Sequence, residues 1–256
     1  MLYEELKKNK KIYELDWNDK LIIAGPCTFG NYEELLKIAK ELKKRNINFL
    51  RAGTFKMRTS PYSFQGLRDE GMEILLKIKK ELDIHIVTEF TSIEQVKKYG
   101  NLVDIIQIGT RNMYNYELLK EVGKTNTPVI LKRAFSATYE EWFLAAEYIL
   151  KEGNKNVILC ERGIRNNISN ETRNVLDIQA VPYVKHNTNF RIIVDPSHAS
   201  GHAYMVPSMS KASIAAGADG LLIEVHTNPD ESLCDKEQTI DLKELDEILK
   251  FKEGIK

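Results

Sequence analysis

Eight short apolar runs rich in β-formers recur along the chain, and amphipathic helical patterns fill the gaps between them. The runs are "LIIAG" from Leu21, "NFLRA" from Asn48, "IVTEF" from Ile86, "IIQIG" from Ile105, "VILKR" from Val129, "VILCE" from Val157, "RIIVD" from Arg191 and "LLIEV" from Leu221. Between them lie segments such as "YEELLKIAKELKKRN" (32–46), "MEILLKIKKELD" (72–83), "YEEWFLAAEYILKEGN" (139–154) and "LKELDEILKFKEG" (242–254), whose apolar positions repeat near 3.6 residues. Strands that alternate with helices predict a parallel sheet. A doubly wound open sheet and a closed (β/α)8 barrel both satisfy that pattern. The count of eight and the lack of a glycine-rich dinucleotide fingerprint favour the barrel, and 256 residues is the size such a barrel needs.

No Gly-, Pro- or Ser-rich linker divides the chain, so residues 20–256 are read as one barrel and residues 1–19 as a short extension, either a lid on the barrel bottom or a subunit contact. No room is left for a separate regulatory domain. The 43% apolar content is enough for a sizeable core. Lys and Arg number 37 and Asp and Glu 37, a balance that argues against a nucleic-acid partner. No apolar run approaches membrane-spanning length. Three cysteines give no disulfide framework, and the start "MLYEELKKNKKIYELDW" has no secretory core. These features predict a soluble cytoplasmic protein.

Each predicted strand ends on a chemically capable side chain: Cys27, Arg51, Glu89, Arg111, Lys132, Arg162, His198 and Glu224. Barrels of this kind place their active sites at the C-terminal strand ends, so the eight converge on one face. Strands 1, 7 and 8 are neighbours in a closed barrel. They can therefore bring together Cys27, His198, Glu224 and the following Asp235. Thiolate, imidazole and carboxylates suit Mn, Fe, Co or Zn better than Mg or Ca. Spacing alone leaves this open, because a buried Cys, a capped His and two surface acids fit the same positions. His202 and His226 lie close by, and His226 is read as orienting a ligand or substrate rather than binding metal.

Arg51, Lys56, Arg58, Arg111, Lys132, Arg162 and Arg165 map to the same rim. Cations gathered at one mouth repel unless an anionic ligand neutralises them, and Arg forks suit phosphate or carboxylate. Gly109, Thr110 and Arg111 in "IGTRN" sit at a strand-to-helix turn whose N–H groups can cradle phosphate. Lys132 has a rival role as a Schiff-base amine.

The motifs "AGPC", "KMRTSPYSFQG", "IQIGTRNM", "LKRAFSAT", "CERGIR", "DPSHASGH" and "EVHTNPDESLCD" occur in an order that resembles 3-deoxy-D-arabino-heptulosonate 7-phosphate (DAHP) synthases. The short type I form, related to octulosonate 8-phosphate synthases, is the nearest branch. The resemblance implies a metal-dependent transferase that condenses phosphoenolpyruvate with erythrose 4-phosphate, the first step of the shikimate pathway. It implies one divalent ion, manganese first with iron, cobalt or zinc as alternatives, on Cys27, His198, Glu224 and Asp235. It also implies that Arg111, Lys132 and Arg162 hold phosphoenolpyruvate with Arg51 and Lys56 close by, and that Arg58, Thr59 and Ser60 hold the aldose phosphate. Lys56 lies between the two phosphate sites as the candidate proton donor, and a homodimer or homotetramer is expected.

The chain departs from the family pattern at Met57, where proline is usual, and this predicts a looser loop with weaker aldose binding. Thr110, Ala134, Cys234 and Lys236 also replace common residues. The acceptor aldose is thus the open point, with an octulosonate-type acceptor and a Schiff-base aldolase using Lys132 as alternatives. Cys234 adjoins Asp235 and is expected near Cys27, where it is either an inert thiol or one half of a redox-sensitive pair.

Overall fold

In a computed structural model, which describes residues 20–166 and 171–255, eight parallel strands close into a barrel in sequence order, with β1 hydrogen-bonded to both β2 and β8. The strands are β1 (Leu21–Gly25), β2 (Phe49–Arg51), β3 (His85–Glu89), β4 (Ile105–Ile108), β5 (Val129–Lys132), β6 (Val157–Glu161), β7 (Arg191–Val194) and β8 (Gly220–Glu224). The predicted extension 1–19 lies outside the described residues. Among the described residues no helix is long and apolar enough to cross a membrane.

Strand alternation sorts side chains into two cores. Leu21, Ile23, Val87, Ile105, Ile130, Ile158, Ile193 and Leu222 fill the barrel interior, while Ile22, Ala24, Leu50, Ile86, Leu131 and Leu159 face the helices. The outer layer comprises α1 (Tyr32–Lys44), α2 (Arg68–Leu82), α3 (Ile93–Tyr99), α4 (Tyr116–Gly123), α5 (Tyr139–Lys151), α6 (Ala180–Asn187), a short α7 (Pro196–Ser200), α8 (Val206–Ala215) and α9 (Leu242–Gly254). Asn31, Ser92, Asn115, Thr138 and Asp241 begin five of these helices by accepting from backbone N–H groups, as short polar side chains do at N-caps. The helices then bury one stripe each; in α1 the stripe is Leu35, Ile38, Ala39 and Leu42. Trp142 fastens α5 to the sheet, its indole N–H donating to the Leu131 carbonyl at 3.1 Å.

Four of the strand-end residues sit beyond their strands: Cys27 and Arg162 just past β1 and β6, and Arg111 and His198 further on, in elements of their own. Arg111 lies in a 3-10 turn, Thr110–Asn112, three residues long and capped by Gly109. So short a turn carries little helix dipole, and any anion there must rely on individual N–H groups. His198 lies in α7, which Asp195 caps and Pro196 opens.

Candidate active site

The strand ends converge at one mouth. A cavity of about 270 Å³ is lined by Lys56, Arg58, Arg111, Lys132, Arg162 and Arg173, with Thr59, Ser60, Gly109, Thr110 and Phe135 between them, and Glu89, His198 and Asp235 the ionisable groups that complete it. Local backbone explains several placements. Gly163 turns the chain after Arg162 at φ +89°, and a Cβ there would stand 2.7 Å from the Asn174 side chain. A Cβ on Gly109 would meet Glu89 Oε1 at only 2.2 Å, so glycine lets the acid reach the cavity wall. Gln107 Nε2 donates to Glu89 Oε2 at 2.9 Å and fixes it there.

Beneath the cavity lies a donor cluster. One ligand atom each from His198, Glu224 and Asp235 fall within 4.8 Å of one another, and the same holds for Cys27, Cys234 and Asp235. His198 Nε2 is 3.3 Å from Glu224 Oε1, and Cys27 Sγ donates to Asp235 Oδ2 at 3.0 Å. His198 is oriented from behind: Asp195 Oδ2 accepts its Nδ1–H at 2.7 Å, which leaves the Nε2 lone pair facing Glu224 and Asp235. A carboxylate behind an imidazole is the arrangement that steadies a metal-binding histidine. Glu224 is held as firmly, with Arg51 Nη1 donating to Oε1 at 2.9 Å and Gln238 Nε2 to Oε2 at 2.6 Å. Soft and hard donors thus meet at one point with their outer hydrogen bonds in place, and they fit a borderline divalent ion.

The electrostatics agree. Burial would raise the Asp195 carboxyl, but His198 and Lys132 outweigh it and hold the group well below the usual range. Burial works against Glu224 and Asp235 too. His198 and Arg51 hold the first down, while a hydrogen bond from Cys27 and the charges of His198 and Arg173 hold the second down. Cys234 and burial push the Cys27 thiol up against the pull of Lys56, whose Nζ lies 2.9 Å from Cys27 Sγ. Burial lowers His198 further than Asp195 and Glu224 restore. A carboxyl depressed in the fold contributes stability above its unfolded value and loses it on acidification. A histidine kept neutral by burial also loses stability as pH falls below its free value. Urea midpoints should therefore drop as pH falls from about 6.5, and more steeply below about 4. A midpoint that stays flat from pH 7 to 4 would contradict these shifts.

Most of the residues read from sequence meet here, with some differences. Arg51 is 4% exposed and does not line the cavity; it turns inward to Glu224 and to the Pro26 carbonyl. At Met57, Sδ accepts from Asn112 Nδ2 at 3.1 Å, and nearby Arg111 Nη2 reaches Thr59 Oγ1 at 3.4 Å, two contacts between the strand-2 loop and the strand-4 loop. His226 does not face the site, because its ring nitrogens contact Glu34 Oε1 and the Asn228 carbonyl. His202 contacts the Glu171 carbonyl. Cys234 does stand beside Cys27. Sequence reading passed over Asp195, Gln238, Arg173 and Phe135. Only Asp195 carried a local signal, an acid before proline and three residues before His198.

Fold and site together define a (β/α)8-barrel protein with a cationic cavity over a thiol, imidazole and carboxylate cluster. A profile of the DAHP synthetase I family matches residues 7–256, and the chain belongs to that family. A Thermotoga maritima protein named phospho-2-dehydro-3-deoxyheptonate aldolase is 44% identical over 228 residues, covering 89% of this chain and 67% of that one. A Geobacter sulfurreducens protein named 2-dehydro-3-deoxyphosphooctonate aldolase is 32% identical over 249 residues and covers 90% of both. The crystal structure of the Thermotoga maritima DAHP synthase superposes with a TM-score of 0.88 at 42% identity, over 92% of this chain and 69% of that one. A truncated form of the Thermotoga maritima enzyme gives 0.84 at 38%, over 92% and 86%.

Proposed function

We propose that this chain condenses phosphoenolpyruvate with erythrose 4-phosphate, giving DAHP and phosphate, in a metal-dependent reaction. The observation that carries this reading is the stacking of two features: His198 and Asp235 belong both to the donor cluster and to the wall of the cationic cavity. Anions held in that cavity would lie against the cluster.

Arg111, Lys132 and Arg162 would grip phosphoenolpyruvate, and Arg58, Thr59 and Ser60 the phosphate of the aldose. Gly109 and Thr110 add backbone N–H groups on the phosphoenolpyruvate side. Cys27, His198, Glu224 and Asp235 would hold one divalent ion, manganese first, which when bound supplies a Lewis acid for the aldehyde carbonyl. C3 of phosphoenolpyruvate then bonds to the carbonyl carbon, water adds at C2, and phosphate departs by C–O cleavage. Fixing two anions side by side makes the encounter effectively unimolecular, an advantage of at most about 7–11 kcal/mol. The cations offset the repulsion between them. Lys56 Nζ would deliver a proton to the aldose oxygen as the new bond forms. Its neighbours hold it charged: burial works to lower the ammonium, but Cys27 and Cys234 raise it further. Arg51 would serve by fixing Glu224.

The octonate-named relatives motivate a second reading, in which the same chemistry uses a longer phosphorylated aldose. A Schiff base at Lys132 is disfavoured by its 2.6 Å ion pair with Asp195, which ties the amine up. A soluble, cytoplasmic, single-domain homo-oligomer accords with this role. Phosphate release from phosphoenolpyruvate should require Mn²⁺, stop with EDTA, and run fastest with erythrose 4-phosphate among a panel of aldoses. Faster turnover of arabinose 5-phosphate would favour the second reading, and EDTA-resistant activity with borohydride trapping would restore the Schiff base.

A further inference from the structure

We propose that Phe135 is a positioning residue for the anion clamp: its ring holds the guanidiniums of Arg111, Arg162 and Arg165 oriented toward a phosphorylated ligand. The three cationic carbons stand 5.9, 4.8 and 5.2 Å from the ring centroid. Among the described residues, none of the three is ion-paired with a carboxylate. Arg162 is 3% exposed, its Nε has no hydrogen-bond partner, and its Nη1 reaches only the Gly163 carbonyl at 3.4 Å. Three like charges this close repel one another, and an aromatic face is the neutral group that attracts each of them. A guanidinium against a ring also has its plane fixed, so its N–H edge is presented outward rather than left to rotate.

The backbone reinforces the arrangement. Arg165 N donates to the Phe135 carbonyl at 2.7 Å, locking the loop after β5 to the loop after β6. Phe135 and Arg165 are thereby fixed together, and the ring reaches the cavity wall, which it lines with Arg111 and Arg162. A leucine would fill the space but carry no quadrupole, and the arginines would splay apart.

This inference rests on the reading that the cavity binds phosphate esters, and its test is a binding measurement separable from turnover. Calorimetry on the Mn-loaded wild type, Phe135→Leu, Phe135→Met and Phe135→Tyr would use inorganic phosphate and phosphoenolpyruvate as probes. Leu and Met should weaken both about tenfold, a loss of about 1.4 kcal/mol, and Tyr, which keeps the ring face, should stay near wild type. In steady-state kinetics, KM for phosphoenolpyruvate should rise about tenfold in the Leu variant, with kcat within about twofold and KM for the aldose unchanged. Equal phosphate affinity in Leu, Met and wild type would overturn the proposal, as would a Tyr variant as weak as Leu. Weakened phosphate binding in a protein that turns over no aldose would leave this inference standing and remove the proposed reaction instead.

Discussion

Replacing Asp195 with Asn should lower kcat/KM and Mn²⁺ affinity each about 10–100-fold, although Asp195 is not itself a proposed ligand. The side chain is fully buried and meets three groups: Lys132 Nζ at 2.6 Å, His198 Nδ1 at 2.7 Å and the His198 backbone N–H at 2.9 Å. Asn has nearly the same shape, so the change removes charge rather than volume. Lys132 would then be a buried cation without its partner, which costs about 3–5 kcal/mol. With one acceptor oxygen in place of two, Asn cannot accept from both the His198 backbone N–H and the His198 Nδ1–H, so the cap or the imidazole tautomer loses its hold. Steady-state kinetics, Mn²⁺ titration and urea unfolding read the three consequences separately. Wild-type metal affinity together with a wild-type unfolding midpoint would show that Asp195 orients nothing.

The second large effect is expected at Lys56. Changing it to Met keeps an unbranched chain out to Cε and removes the ammonium with its proton and charge. Proton transfer by a positioned side chain contributes about 10²–10⁴-fold, so kcat should fall by that range. KM for phosphoenolpyruvate should move little, because Arg111, Lys132 and Arg162 remain in the wall. The opposite pattern, a raised KM with kcat intact, would make Lys56 a binding residue only. The distance of 2.9 Å between Lys56 Nζ and Cys27 Sγ places the ammonium between cluster and cavity, which is why the effect is expected on the chemical step.

The barrel itself was legible because its signal is local. Each strand shows as a short β-rich run and each helix as a 3.6-residue stripe, and both repeat in register with the chain. The site was legible to the extent that strand order dictates convergence: the donors on strands 1, 7 and 8 had to meet once the sheet closed. What escaped was set by contacts across the barrel. Gln238 reaches Glu224, and Arg173 Nη1 reaches Gln238 Oε1 at 2.7 Å across 65 positions of chain, with no local pattern to announce either. Arg51 was read as facing the ligand because it carries charge at a strand end. Its β2 register instead points it under the rim, where Glu224 neutralises it. The looser loop expected at Met57 follows from its own backbone freedom, and the contact from Asn112, 55 residues away, has no local pattern to announce it.

The buried ion pairs Lys132–Asp195 and Arg51–Glu224 flank the neutral imidazole of His198, which links their two carboxylates across the cavity floor. That lower storey is charge-balanced within the protein and its members depend on one another, so a single exchange there disturbs the others. The storey above it, with Arg58, Thr59 and Ser60 on the loop after β2, has no such buried ion pairs among the described residues. Under the proposed roles of Arg58, Thr59 and Ser60, a change of accepted sugar would require rewriting that upper storey alone. Relatives named for seven-carbon and eight-carbon products at 44% and 32% identity are what such a division of labour would leave behind.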